Sequence, residues 1–247
     1  MRYMFGVDQK SALQDLLLHI GIMAAVIYGC AEILTALQRE RRNGAVTRRS
    51  KNRSLHGHTY YELRLLKTAT IPLLICSTLY IVTAKLEQNL TVILICFVLN
   101  ATIMLLAEHT SHGNRDARSM TGLDGIVMGI LGAVSVLPGV SRTGIIASYT
   151  TARGVETDRV VNWAVLLGIP ALALGICFDV VGLFTVGAGV ISLFTVFGCI
   201  LSGLAAFCGG FLGIRLLRLI LSHSGFSGFA YYSIGAALFT FVLYLIT

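Results

Sequence analysis

The sequence is short of charge: Asp, Glu, Lys and Arg make up only 13% of its 247 residues, against about 25% in an ordinary soluble domain. That excludes a soluble globular enzyme. Proline is scarce too, at 3, and the 26 glycines follow no three-residue period, which excludes a collagen-like or Pro-rich disordered chain. Acidic residues number 12 against 19 basic ones. The six cysteines, Cys30, Cys76, Cys96, Cys177, Cys199 and Cys208, form no Cys-x-x-Cys pair and all lie in apolar runs, so they read as small packing residues. His56 and His58 lack the carboxylate or cysteine pattern of a zinc site and read as loop residues. What is abundant is apolar: 55% of residues are hydrophobic and the mean hydropathy is +0.80. An integral membrane protein follows.

Six apolar runs approach the roughly 20 residues that a helix needs to cross a bilayer: Leu13–Leu37, Thr68–Ala84, Leu90–Ala107, Val160–Phe184, Gly187–Leu212 and Phe226–Thr247. A seventh, Gly122–Thr151, is broken by Pro138-Gly139 and carries a bare Arg142, which a regular lipid-facing helix does not tolerate. It reads as a re-entrant broken helix hairpin. The fold class is therefore an all-α polytopic membrane protein, six transmembrane helices plus one hairpin, in a single membrane domain over 1–247. The polar start of the chain and the length of the first apolar run predict no removable signal peptide.

Basic residues orient it. Arg39, Arg41, Arg42, Arg48, Arg49, Lys51, Arg53, Arg64 and Lys67 fill the segment between the first two runs, which is expected on the cytoplasmic side. Alternation then places Arg115, Arg118, Arg153, Arg159, Arg215 and Arg218 on that side as well, and Arg2, Lys10 and Lys85 outside. Three spans starting from outside and three from inside predict an inverted-topology repeat, with halves 1–121 and 122–247. The arginine runs and Tyr60-Tyr61 of 38–67 face anionic lipid headgroups rather than nucleic acid in this reading. Gly198, Ser202, Ala206 and Gly210 recur every four residues and predict a close internal helix contact, with a homodimer interface as the other possibility.

Each ionisable residue at membrane depth costs about 2.5–3.5 kcal/mol unless solvated or paired, so Leu137-Pro138-Gly139-Val140-Ser141-Arg142-Thr143-Gly144 carries the most weight. Pro138 ends one half-helix, Gly139 and Gly144 permit unusual backbone angles, and Ser141 or Thr143 can cap the next half-helix. Unsatisfied amides, a helix dipole, a hydroxyl and a guanidinium fork then converge, a combination suited to phosphate or pyrophosphate. The competing reading pairs Arg142 with a buried carboxylate, Asp124, Asp179, Glu32 or Asp15. On the residues alone the two stand level. Asp15 and His19, spaced i, i+4, are expected to form a polar pair.

The segment Leu137–Gly144 resembles the Pro-Gly-x-Ser-Arg-Ser/Thr-Gly signature of the bacterial undecaprenyl-diphosphatase (bacitracin-resistance) family. Leu13–Ile27, Ile71-Pro72, Leu105–Glu108, Leu167–Pro170 and Gly203–Tyr232 are similar to further family landmarks, so the resemblance runs along essentially the whole chain. It implies a phosphatase that converts a polyprenyl diphosphate to the monophosphate for cell-wall synthesis, in the bacterial cytoplasmic membrane, assisted by a divalent cation (Mg or Ca). Arg142 and Ser141 would be catalytic, Arg142 stabilising the transferring phosphoryl group and Ser141 bonding a phosphate oxygen, while Gly139, Thr143 and Gly144 would bind substrate. The family's N-terminal Glu/Gln-x-x-x-Glu and Ser-Ser-x-Gly-His patterns do not occur here, a glutamine expected before the signature is Gly132, and a hydroxyl position after it is Ile146. A shortened gene model, or a member that has lost catalysis, is expected from that departure. Metal ligands stay unassigned, and the alternative is a non-catalytic polyprenyl-phosphate binder or flippase on the same scaffold.

Overall fold

The computed structural model describes residues 12–47, 58–79, 89–110, 117–185, 193–223 and 225–246, with 83, 86, 113 and 115. Among them the regular elements are helices: α1 (Ala12–Gly29), α2 (Ala31–Thr47), α3 (His58–Ser77), α4 (Leu90–Glu108), α5 (Gly122–Ala133), α6 (Arg142–Ala152), α7 (Thr157–Leu166), α8 (Gly168–Thr185), α9 (Leu193–His223) and α10 (Ser227–Ile246). A single 3₁₀ turn, Val134–Val136, follows α5.

Four of the expected spans are present among these residues as helical stretches long and apolar enough to cross a membrane: Leu90–Glu108, Thr157–Thr185, Val196–Leu221 and Ser227–Leu245. The other two differ. Leu13–Leu37 is interrupted at Cys30, whose carbonyl becomes the first acceptor of a new helix by receiving Leu34 N at 2.9 Å. It makes a fifth span only if α1 and the start of α2 are taken together. Thr68–Ala84 is not an independent span in the described residues, because α3 begins ten residues earlier and its first half carries Glu62, Arg64 and Lys67. The segment 38–67 is accordingly helical at both ends, and His58 opens α3 rather than lying in a loop; His56, like Arg2, Lys10 and Lys85, lies outside the described residues.

The helices sort into two compact units, each drawn from two stretches of chain. The first joins Met1–Gly29 to Gly168–Leu216. In it α8 packs along α1, and His19 Nδ1 lies 2.6 Å from Asp179 Oδ2. His19 therefore pairs with Asp179 across helices, and Gly175 on α8 lies beside the ring: a Cβ there would stand 3.3 Å from Nε2. Where α9 passes α1, a Cβ on Gly21 would come within 2.2 Å of the Gly203 carbonyl, and one on Gly210 within 3.1 Å of Ala25 Cβ. The small residues of α9 thus make the expected internal contact, through Gly203 and Gly210, while Gly198, Gly209 and Gly213 meet nothing within 4 Å.

The second unit joins Cys30–Leu167 to Leu217–Thr247. Here α3 packs on α5, α10 on α4, and α6 is surrounded by α4, α5 and α7. Its core holds Trp163, Phe226, Leu73, Met128 and Ile146, all fully buried. Ile95, Val98, Leu99, Ile103 and Leu106 of α4 point outward, as suits a face solvated by lipid tails. Cys30, Cys96 and Cys199 are buried as packing residues, whereas Cys177 and Cys208 are exposed; all are free thiols.

Candidate active site

The site is built on the α5–α6 hairpin. At its mouth Thr121 caps α5 through a reciprocal pair of bonds: its Oγ1 accepts from Asp124 N at 3.3 Å, and Asp124 Oδ2 accepts from Thr121 N at 2.8 Å. Such a capping box satisfies two donors that a helix start otherwise leaves open. Asp124 also accepts from Tyr149 of the other arm at 2.8 Å and lies 2.9 Å from Arg153 Nε. The carboxylate therefore ties the two arms together at the polar end of the hairpin, outside the spanning segments. Burial pushes its pKa up, but the Thr121 amide and hydroxyl, Tyr149 and Arg153 outweigh that and hold it at about 2.

At the other end the chain reverses. Leu137 is extended (φ −74°, ψ 134°), as the residue before a proline must be. Gly139 then takes φ +91°, a left-handed value that L side chains resist. Ser141 caps α6, its Oγ accepting from Gly144 N at 3.1 Å. That spends one lone pair of the hydroxyl and leaves its proton free to donate. The amides of Arg142 and Thr143, in the first turn, have no acceptor in the preceding chain among the described residues.

Arg142 points back along the hairpin and donates from Nε to Ser135 Oγ at 3.2 Å, and Ser135 passes its own proton to the Gly132 carbonyl at 2.8 Å. It forms no ion pair among the described residues. Asp124 is taken by Arg153, Asp179 by His19, and Glu32 is exposed on α2. Within its own unit, then, Arg142 has no carboxylate partner among the described residues. The four N–H groups on Nη1 and Nη2 stay available to an anion, on a side chain whose direction Ser135 fixes.

All five residues singled out from the sequence, Gly139, Ser141, Arg142, Thr143 and Gly144, sit on this one turn and helix start. A Cβ on Gly144 would lie 2.0 Å from Met104 Cε, and one on Gly139 would lie 3.2 Å from the Ile93 carbonyl. Both glycines let the tip lie against α4. Between that tip, α4 and α10 there is a cavity of about 300 Å³, with Phe97, Asn100, Met104, Ser141, Tyr232 and Ser233 among its walls. Ser135, Asn100 and Ser233 escape sequence reasoning. A lone serine or asparagine in an apolar run carries no motif, although Asn100 in the middle of α4 is a polar residue at membrane depth and so a detectable signal.

Gly132 and Ile146, which depart from the resemblance, face each other. A Cβ on Gly132 would stand 2.9 Å from Ile146 Cδ1 and 3.0 Å from Leu73 Cδ1. A glutamine at 132 would displace the ends of the Ile146 and Leu73 side chains, and the place where the resemblance leads one to expect an amide and a hydroxyl is filled by packed hydrocarbon. No group of three or more His, Cys, Asp or Glu converges among the described residues.

A family model described as bacitracin resistance protein BacA matches residues 1–239 of the chain. Several curated proteins named undecaprenyl-diphosphatase are similar along most of their length. The one from Alkaliphilus metalliredigens is 26% identical over 235 residues, covering 94% of this chain and 84% of the relative. That from Thermosipho africanus is 24% identical over 245 residues, covering 97% and 88%, and that from Syntrophotalea carbinolica is 27% identical over 235 residues, covering 92% and 82%.

Proposed function

The chain belongs to the bacitracin resistance protein BacA family, and from that membership we propose that it is an undecaprenyl-diphosphatase whose phosphate clamp is the tip of the α5–α6 hairpin. Water attacks the terminal phosphorus, the P–O bond of the anhydride breaks, and undecaprenyl phosphate leaves with the electron pair while inorganic phosphate is released. The names of its relatives favour this over a non-catalytic binder or flippase.

The observation that carries the assignment to the clamp is Arg142 at a helix N-terminus with no carboxylate partner among the described residues. Phosphoryl transfer is catalysed mainly by positioning and by stabilising charge on the equatorial oxygens. The Nη groups of Arg142, the amides of Arg142 and Thr143, and the Ser141 hydroxyl supply those donors, and the α6 dipole adds partial positive charge. Gly139 and Gly144 let the backbone come close. No His, Asp or Glu hydrogen-bonds Arg142 or Ser141 among the described residues, so these groups account for charge stabilisation and not for activation of the water.

The divalent cation implied by the resemblance has no ligand cluster of three or more His, Cys, Asp or Glu among the described residues. The excess of basic residues in 38–67 supports a location in the bacterial cytoplasmic membrane, with that segment against anionic headgroups. Purified chain in detergent, given a short-chain polyprenyl diphosphate with Mg²⁺ or Ca²⁺, is expected to release inorganic phosphate, and EDTA is expected to reduce that release. Absence of release under both metals contradicts the assignment.

A further inference from the structure

Asn100 stands in the middle of an apolar helix, in the run Cys96-Phe97-Val98-Leu99-Asn100-Ala101, and is 2% exposed. Burying a carboxamide is costly unless its hydrogen bonds are made. Here they are. Oδ1 accepts from Ser141 N at 3.1 Å, and Nδ2 donates to Ser233 Oγ at 3.0 Å, with Met104 Sδ at 3.8 Å.

The direction of this chain of bonds is fixed by its ends. A backbone amide can only donate, so the carboxamide oxygen faces Ser141. A backbone carbonyl can only accept, so the Ser233 proton goes to Phe229 O at 3.1 Å and its lone pair receives Asn100. Ser141 N–H, Asn100 and Ser233 thus hand protons one way from the hairpin tip to the backbone of α10. Ser233 is itself 3% exposed, so the relay is held away from competing polar groups.

Ser141 is the cap from which α6 starts. Its Oγ is tied to Gly144 inside the helix, while its N–H is tied to Asn100 on another helix. The second bond sets the peptide plane between Val140 and Ser141, and with it the direction in which the Arg142 and Thr143 amides point. The turn two residues earlier passes through Gly139, which by itself resists rotation least of all residues. Donors aimed at a transition state gain their value from being held in place beforehand.

We propose that Asn100 is a positioning residue for the phosphate clamp: anchored through Ser233 on α10, it locks the Ser141 peptide so that the first amides of α6 and the base of Arg142 converge on one phosphoryl group. The proposal rests on the phosphatase reading and deepens it.

The test compares the full chain with Asn100→Ala and Ser233→Ala, measuring thermal midpoint, affinity for inorganic pyrophosphate, and kcat and KM on a short-chain polyprenyl diphosphate. Asn100→Ala is expected to weaken pyrophosphate binding at least about fivefold and to lower kcat/KM by about 10- to 100-fold, chiefly in kcat. Ser233→Ala, which leaves Asn100 in contact with Ser141 but unanchored, is expected to lose a few-fold in each with a nearly unchanged midpoint; it decides the matter if Asn100→Ala does not fold. A merely structural role lowers the midpoint and the folded fraction while leaving pyrophosphate affinity and kcat of the folded protein as they were, and that result overturns the proposal. A wild-type chain that binds pyrophosphate in an Asn100-dependent way yet releases no phosphate contradicts the phosphatase reading and leaves the positioning role standing. A chain that turns over normally in both variants overturns the positioning role alone.

Discussion

At the scale of single residues the proposed clamp contains two glycines that meet different obstacles. Gly139 has φ +91° and a Cβ there would face the Ile93 carbonyl at 3.2 Å and Cys96 Cβ at 3.4 Å, so alanine brings backbone strain as well as crowding. Gly139→Ala is expected to lower stability by about 1–2 kcal/mol and to reduce phosphate release, read as a lower thermal midpoint and a lower kcat. Gly144 has no left-handed strain, and its nearest obstacle is the mobile end of Met104. Gly144→Ala is therefore expected to perturb the midpoint less than Gly139→Ala. The motif was legible here because proline, glycine and arginine together at membrane depth have few uses. Ser135 and Ser233 were not, because one hydroxyl in an apolar run is chemically silent until a second helix brings it a partner.

At the scale of elements the hairpin is closed at its mouth by Asp124, which serves α5 as a capping-box partner and reaches Tyr149 and Arg153 from α6 and its end. Replacing it with asparagine removes the charge from these bonds and is expected to cost about 2 kcal/mol. The pH dependence has a definite sign. A carboxyl held at about 2 in the folded protein, against about 3.9 for a free aspartate, contributes stability that is fully present above pH 4 and is lost as pH falls towards 2. Asp124→Asn should flatten that acid limb of the stability profile, measured by thermal unfolding between pH 5 and pH 2. Close packing of α3 on α5 gives a second element-level test. A Cβ on Gly129 would stand 2.2 Å from the Ala69 carbonyl, an obstacle of backbone and not of side chain. Gly129→Ala is expected to destabilise by about 1–3 kcal/mol, whereas Gly235→Ala on α10, where nothing lies within 4 Å, should be neutral or mildly stabilising. Composition and hydropathy indicate that helices exist and where the long apolar ones lie. They miss where helices end, as at the break at Cys30 and the early start of α3 at His58. Nor does helical spacing reveal that His19 meets Asp179, a carboxylate 160 residues away in the chain.

For the whole molecule, basic residues predict orientation. Cysteines introduced at Arg39 and Arg64, in a chain freed of its own thiols, are expected to react with a membrane-impermeant maleimide only after the cell is permeabilised; labelling of intact cells would reverse the topology. We propose that the α5–α6 tip is the phosphate clamp of a polyprenyl diphosphatase. The most direct test is phosphate release from a polyprenyl diphosphate by the purified chain beside Arg142→Ala, with thermal midpoints measured on the same samples. Because Arg142 has no ion pair among the described residues, alanine should leave the midpoint nearly unchanged while release falls by about 10²- to 10³-fold. Equal release from the two proteins, with both folded, would contradict the account.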